Sequence, residues 1–170
     1  MIDFALVGLP RSGTTWFANW LTTDRSLCLH DPFAQGLPDS WPKDDRRRGI
    51  SCTLAYLIPG WLERVGCPVA VIERDPSECQ ESAEKLQFPT EVHAPNDACM
   101  TLRKSLDLTD GRRWQYTDIW NEEKARDLWA FLLPEIPFDA IRYRELRRMQ
   151  VQPYMPGWSM KQGVLETMMG

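Results

Sequence analysis

The segment FALVGLPRSGTTWFANWL, residues 4–21, constrains the fold more than any other part of the chain. A short apolar run at its start predicts a buried strand, and the apolar stretch at its end predicts a helix. Between them, Gly8 and Gly13 bracket a turn with the spacing of a phosphate-binding P-loop, here named the glycine loop (residues 8–13). Backbone N–H groups of such a turn and the N-terminus of the following helix attract an anion together. The segment therefore predicts an anion site.

The side chains of the glycine loop and the first helical turn add donors for an anion. Ser12, Thr14 and Thr15 carry hydroxyl groups, and Arg11 offers a planar guanidinium suited to paired oxygen contacts. Thr14 stands where a P-loop kinase carries its lysine. The loop is therefore built to hold phosphate without the residue that normally grips a transferring phosphate.

Length and charge set the broad class of protein. The 170 residues amount to a single domain, 1–170, and the net charge of −4 argues against general nucleic-acid binding despite the local run Arg46, Arg47 and Arg48. Five cysteines without a CxxC pair favour reduced thiols and a cytoplasmic location over a disulfide framework or a zinc site. No apolar run approaches the ~18 residues of a membrane span, so no membrane association is expected.

Strand-like and helix-like segments alternate along the chain. Residues 2–8, 26–31, 68–75 and 112–118 predict strands, whereas helices are expected over about 13–22, after Asp75, around 125–132 and over about 137–149. This order predicts an α/β class: a three-layer fold like that of P-loop nucleoside-triphosphate hydrolases, with a central, mainly parallel sheet flanked by helices. Ligands of such sheets bind beyond the carboxyl ends of the strands.

Two segments lack a clear pattern. Residues 34–50 carry Gly, Pro, Asp and Arg without periodicity and are expected to form a long loop that serves as a lid or an acceptor wall. Residues 153–170 form a poorly patterned tail. Around Asp75, by contrast, the local signals are sharp, since Asp75, Pro76 and Glu78 predict a capped helix start with a capping box.

The stretch PRSGTTW, residues 10–16, resembles the 5′-phosphosulfate loop of PAPS-dependent sulfotransferases. The resemblance implies that Arg11 contacts the bridging and sulfuryl oxygens of PAPS. It further implies that Ser12, Gly13, Thr14 and Thr15 hold the 5′-phosphate and that Trp16 stacks on or near the adenine. Sulfuryl transfer has no β/γ-phosphate pair and no obligatory Mg²⁺ to organise, which accounts for the missing lysine.

Two further segments fit the same resemblance. In IERDPSECQES, Arg74 and Ser82 have the spacing of the residues that bind the 3′-phosphate in that family, and in WQYTDIW, Tyr116 matches a tyrosine beside the adenine edge. The plainer alternatives are a surface arginine, a solvent-facing serine and a core tyrosine. The C-terminal Arg-Lys-Gly loop and the Lys-Thr-His segment of the cytosolic enzymes are both absent. For the arginines of the last helix three interpretations stay open: they replace that loop, they favour an anionic acceptor, or they form a solvated basic helix face.

Transfer needs a base to deprotonate the acceptor. Golgi sulfotransferases carry a catalytic glutamate about 20 residues after the arginine of the loop, and this chain has His30 and Asp31 there. His30 can accept a proton at neutral pH, while Asp31 can act as the base itself or orient His30. A third interpretation is that the pair merely ends a strand.

The resulting hypothesis is a sulfotransferase that moves the sulfuryl group of PAPS to a hydroxyl or amine of a small-molecule or glycan acceptor, with PAP as product. A PAP- or PAPS-binding module with reduced catalysis is the first alternative. An ATP-dependent P-loop kinase is the second, and Thr14 in the lysine position opposes it. The oligomeric state stays open.

Overall fold

The computed structural model describes residues 2–32, 44–53, 64, 66–85 and 111–149. Most of the proposed lid, at residues 34–43, and the tail at 153–170 lie outside the described residues. Within the described part, no helix is long and apolar enough to cross a membrane.

A five-stranded parallel sheet forms the centre of the molecule. Its strands occupy the order β2-β3-β1-β4-β5, and every neighbouring pair is parallel. Their bounds are β1 Phe4–Gly8, β2 Ser26–His30, β3 Arg47–Cys52, β4 Val69–Glu73 and β5 Arg112–Gln115. The predicted α/β class with a parallel sheet is confirmed.

The central strand β1 is fully buried, as its continuous apolar sequence predicts for a strand covered on both faces. It pairs with β3 on one side and with β4 on the other, in the registers Phe4↔Gly49 and Ala5↔Val69. Its carboxyl end therefore delivers the glycine loop to the middle of the sheet edge.

Strand β3 corrects the prediction of a loop over residues 34–50. Arg47 and Arg48 are half-exposed and give the segment its loop-like composition, but the strand continues through Gly49 into a buried half that ends at Cys52. A Cβ at Gly49 would lie 2.0 Å from the ring of Phe4, so the glycine here makes room for a core side chain. Cys52 is the last residue of this strand.

Four α-helices and one 3-10 helix lie around the sheet in the part of the chain that the structure describes. They are α1 Thr14–Leu21, α2 Pro76–Glu84, the 3-10 helix Tyr116–Trp120, α3 Glu122–Leu132 and α4 Ala140–Arg148. Tyr116 thus opens a 3-10 helix and does not belong to a strand over 112–118 as expected. The predicted apolar face of α3 is buried, at Ala125, Leu128, Trp129 and Leu132.

An aromatic cluster joins α1, α3 and α4. Trp20 of α1 lies with its ring centroid 5.2 Å from that of Trp129 and 5.9 Å from that of Tyr143, and all three side chains are at most 2% exposed. Arg142 of α4 donates to the backbone oxygens of Asn19 (2.6 Å) and Thr22 (2.8 Å) at the end of α1. Helix α1 is therefore held at its carboxyl end while its N-terminus faces the sheet edge.

Candidate functional site

The sequence-predicted residues meet at the carboxyl edge of the sheet. The glycine loop follows β1, His30 ends β2, Arg74 follows β4 and Tyr116 follows β5. Because parallel strands end on the same side, segments more than a hundred residues apart come into contact there.

Left-handed backbone shapes the glycine loop. Arg11 has φ 73° and Gly13 has φ 78°, and the N–H of Ser12 donates to the carbonyl of Leu9 at 3.0 Å. Gly13 also makes a close approach, since a Cβ there would lie 3.1 Å from Cε2 of the Tyr116 ring. The loop therefore needs glycine at this position for two independent reasons.

Among the described residues, no side chain caps the N-terminus of α1 in the way that is usual at a helix start. Gly13 is its N-cap, no side chain caps it, and its first turn contains no acidic residue. Side chains of Asp75, Asn121 and Asp139 cap α2, α3 and α4. An exogenous anion would complete α1 in the way that these side chains complete the other three helices.

Arg11 and Arg74 lie together beside the glycine loop. Nε of Arg11 donates to Oγ of Ser82 at 3.1 Å, and the guanidinium of Arg74 donates to the carbonyl of Arg11. Burial, with the neighbouring Arg74 cation as a second cause, lowers the pKa of Arg11. Two guanidinium groups held this close favour a ligand that carries negative charge.

Tyr116 connects these arginines to the fifth strand. The guanidinium carbon of Arg74 lies 4.3 Å from the centroid of the Tyr116 ring, a cation–π arrangement, and the same ring lies against Gly13. Nε of Arg74 also pairs with Glu78 at 3.2 Å. Of the capping box predicted at α2, the Asp75 cap is present, whereas the carboxylate of Glu78 pairs with Arg74.

The side chains of Ser12, within the glycine loop, and of Thr14, directly after it, are buried. Oγ of Ser12 lies 3.9 Å from Sγ of Cys79, and Ser51 donates its hydroxyl to the carbonyl of Thr14 at 2.7 Å. The Ser12 side chain thus anchors the loop to α2, and burial raises the pKa of the Cys79 thiol. Nothing local in the sequence marks Cys79 or Ser51 as supports of the loop, because both act through tertiary contact.

His30 reaches the first turn of α1. Its Nε2 lies 3.2 Å from Oγ1 of Thr14, 3.1 Å from Oγ1 of Thr15 and 3.2 Å from Oδ2 of Asp31. Asp31, which has φ 43°, accepts hydrogen bonds from the backbone N–H (2.5 Å) and the hydroxyl of Thr53. The histidine is therefore held between the helix start and a carboxylate that Thr53, a residue missed in the sequence, fixes in place.

Trp16 lies in the aromatic core. It is 7% exposed, its ring N–H donates to the carbonyl of Leu146 at 3.1 Å, and it packs on Phe17, Trp20 and Tyr143. The predicted stacking of Trp16 on adenine therefore finds little open indole surface. Among the described residues, no group of three or more His, Cys, Asp or Glu side chains has the arrangement of a metal site.

Neither a protein-family model nor a curated protein sequence matches this chain. Among solved structures, mouse sulfotransferase SULT7A1 complexed with PAP is similar, with a TM-score of 0.59 and 16% sequence identity. The match covers 86% of this chain and 63% of the mouse protein. This chain therefore spans less than two thirds of the length of the mouse protein. This chain, with its parallel sheet and the glycine loop after the central strand, therefore has a sulfotransferase-like fold.

Proposed function

We propose that the protein is a sulfotransferase that transfers the sulfuryl group of PAPS to a hydroxyl or amine of a small-molecule or glycan acceptor. One observation carries the proposal. Arg11 bonds Ser82, Arg74 bonds the Arg11 carbonyl, and Tyr116 covers Gly13, although these residues come from three separate segments of the chain. The three segments that match the resemblance therefore touch one another.

The donor set at the loop fits a nucleotide with two separate anionic groups. The uncapped start of α1 and the guanidinium of Arg11 suit a 5′-phosphosulfate, and Arg74 with Ser82 suits a 3′-phosphate. When bound, PAPS supplies the activated sulfuryl group. Arg11 and the backbone N–H groups of the loop then place positive charge where the 5′-phosphate group gains negative charge.

His30 is the base in this proposal, and Asp31 orients it. A carboxylate only accepts hydrogen bonds, so its contact with Nε2 favours the tautomer in which Nε2 carries the proton. Nδ1 then holds the lone pair that takes the proton of the acceptor group. Asp31 suits the orienting role better than the role of base, because its oxygens already accept from Thr53 and lie beside His30.

Titration calorimetry with PAP tests the binding part of the proposal. We expect PAP to bind without added Mg²⁺ and more tightly than Mg-ATP does. Preference for Mg-ATP would support the kinase alternative and contradict the proposal. The Arg11→Gln variant keeps a polar side chain but lacks the charge, so it should lose most of the affinity for PAP.

Transfer of radiolabelled sulfate from PAPS to a panel of alcohols, amines and glycans tests the chemistry. His30→Gln keeps a polar partner for Thr14 and Thr15, so it should retain PAP affinity while turnover falls by ~10²–10⁴-fold. Tight PAP binding without transfer to any acceptor would instead support the binding-module alternative. Full turnover in His30→Gln would refute the role of His30.

A further inference from the structure

An exposed tryptophan borders the candidate site, and although it ends the segment WQYTDIW, the resemblance gives it no role. Trp120 ends the 3-10 helix that begins at Tyr116, and 40% of its surface is exposed. Its ring centroid lies 6.2 Å from that of Trp16, the buried indole expected to meet adenine. Trp120 therefore carries the accessible aromatic surface at the position where Trp16 has little.

Trp120 and Tyr116 form a corner of two rings. Their centroids are 6.0 Å apart and the ring planes meet at 86°. Tyr116 also lies against Gly13 and under Arg74, which joins the corner directly to the glycine loop. A flat base can stack on one ring of such a corner while its edge meets the other.

Arg147 of α4 lies over the outer ring of this corner. Its guanidinium carbon is 5.6 Å from the Trp120 centroid and 5.5 Å from the Tyr143 centroid, and its side chain is exposed. Other arginines of α4 have different partners: Arg142 bonds the end of α1, and Arg144 pairs with Glu122 at 2.9 Å. Arg147 is therefore placed to act at the corner, since a planar guanidinium on a flexible stem can cover a flat ring.

We infer that Trp120 is the platform on which the purine base of the donor stacks, and that Arg147 moves from the indole to cover the opposite face of the base. This inference rests on the proposed function, because it assigns the base of the nucleotide whose phosphates the loop and Arg74 hold. It also assigns a specificity: a purine, with two fused rings, covers more of the indole than a pyrimidine does.

Calorimetry with two ligands tests the platform. Adenosine 3′,5′-bisphosphate and cytidine 3′,5′-bisphosphate carry the same phosphates on different bases. We expect Trp120→Leu to weaken binding of the adenosine compound by about tenfold, from the loss of one stacked base, and that of the cytidine compound by less. Trp120→Phe, which keeps an aromatic face, should recover part of the lost affinity.

Arg147→Gln and Arg148→Gln form a matched pair on neighbouring exposed positions of α4. Both remove one positive charge, but Arg147 is the one that contacts the Trp120 ring. We expect a several-fold loss of adenosine-compound affinity in Arg147→Gln and little change in Arg148→Gln. Equal losses of affinity in the two variants would show that the loss comes from net charge alone, and would refute the role of Arg147.

The outcomes separate this inference from the proposed function. If the unaltered protein binds the adenosine compound and Trp120→Leu binds it equally well, the platform is refuted while the proposed function stands. If Trp120→Leu loses both ligands by the same factor, the effect is structural and the platform is again refuted. If the unaltered protein binds neither compound, the proposed function fails and the inference fails with it.

Discussion

The N-termini of α1 and α2 lie side by side at one sheet edge and are built in opposite ways. Helix α2 is capped by its own chain, because the Asp75 carboxylate accepts from the N–H groups of Ser77 (2.8 Å) and Glu78 (3.4 Å). Helix α1 starts at Gly13 with no side-chain cap and no acid in its first turn. The first arrangement favours a stable helix, and the second leaves the positive end of a dipole for a ligand.

The two helices therefore have different roles at this edge of the sheet. Because α2 is complete without a ligand, it can hold Ser82 and Cys79 firmly against the loop, at Nε of Arg11 and Oγ of Ser12. In the proposed function, helix α1 contributes the anion site. Substitutions at α1 should therefore change ligand binding, whereas substitutions at the cap of α2 should change folding stability.

The largest effect is expected for Gly13→Ala. The added Cβ would meet Tyr116 at 3.1 Å and force a left-handed residue to carry a side chain, so the loop and the tyrosine must both shift. We expect PAP affinity, measured by calorimetry, to fall by about 100-fold, because relief of this backbone strain turns the N–H groups of the loop away from the phosphate.

Gly66→Ala is the matched control for strain alone. Gly66 also has a positive φ, of 63°, but a Cβ there would meet only the Arg64 carbonyl at 4.0 Å. This variant should be less stable in urea and should bind PAP as before. Unchanged binding in Gly13→Ala would mean that the α1 start is not the anion site.

A smaller effect is expected for Ser82→Ala. The variant removes the acceptor of the Arg11 Nε–H and leaves the guanidinium less well positioned, which should weaken PAP binding by about tenfold. Ser77→Ala lies on the same helix, but its hydroxyl bonds Asp75 and not the loop. Equal affinity losses in these two variants would contradict the view that Ser82 supports the loop while Ser77 supports only the cap of α2.

The smallest effect on binding is expected at Asp75. Its hydrogen bonds from the Ser77 side chain and from the N–H groups of Ser77 and Glu78 lower its pKa from 3.8. The cap therefore stabilises fully above that value and is lost as the pH falls through the lower folded-state pKa.

Asp75→Ala should lower the thermal midpoint by a few degrees at pH 7 and leave PAP affinity unchanged. The gap between Asp75→Ala and the unaltered protein should narrow as the pH falls below 3.8. Asp75→Asn, which keeps an acceptor oxygen, should lose less stability. A gap that widens in acid would show that the carboxylate does not act through these hydrogen bonds.

Much of this edge was predictable because its signals are local. The glycine loop, the strand at 68–75 and the cap at Asp75 each depend on a few neighbouring residues, and the structure contains β1, β4 and the Asp75 cap. The proximity of Arg74 and Ser82 to the loop follows from the rule that parallel strands end on one side.

What the sequence did not predict depends on tertiary contacts. The composition of Arg47, Arg48 and Gly49 predicts a loop where β3 lies, because these residues are polar or lack a side chain. Gly49 is nevertheless required in the strand by the Phe4 ring across the strand pair. The sequence alone does not show that Trp16 is buried and Trp120 exposed, because the burial of each side chain depends on where α4 packs.

The register of the sheet also has a kinetic consequence. Phe4 pairs with Gly49 and Ala5 with Val69, so β1 finds both of its neighbours tens of residues further along the chain. Sheet contacts of this kind demand that long segments be closed into loops before any pairing is rewarded, which slows folding. At ribosomal speeds of roughly 5–20 residues per second, β1 waits for seconds before its partners exist. Strand β1, which leads into the proposed anion site, therefore stays exposed to other chains during synthesis until its partner strands emerge.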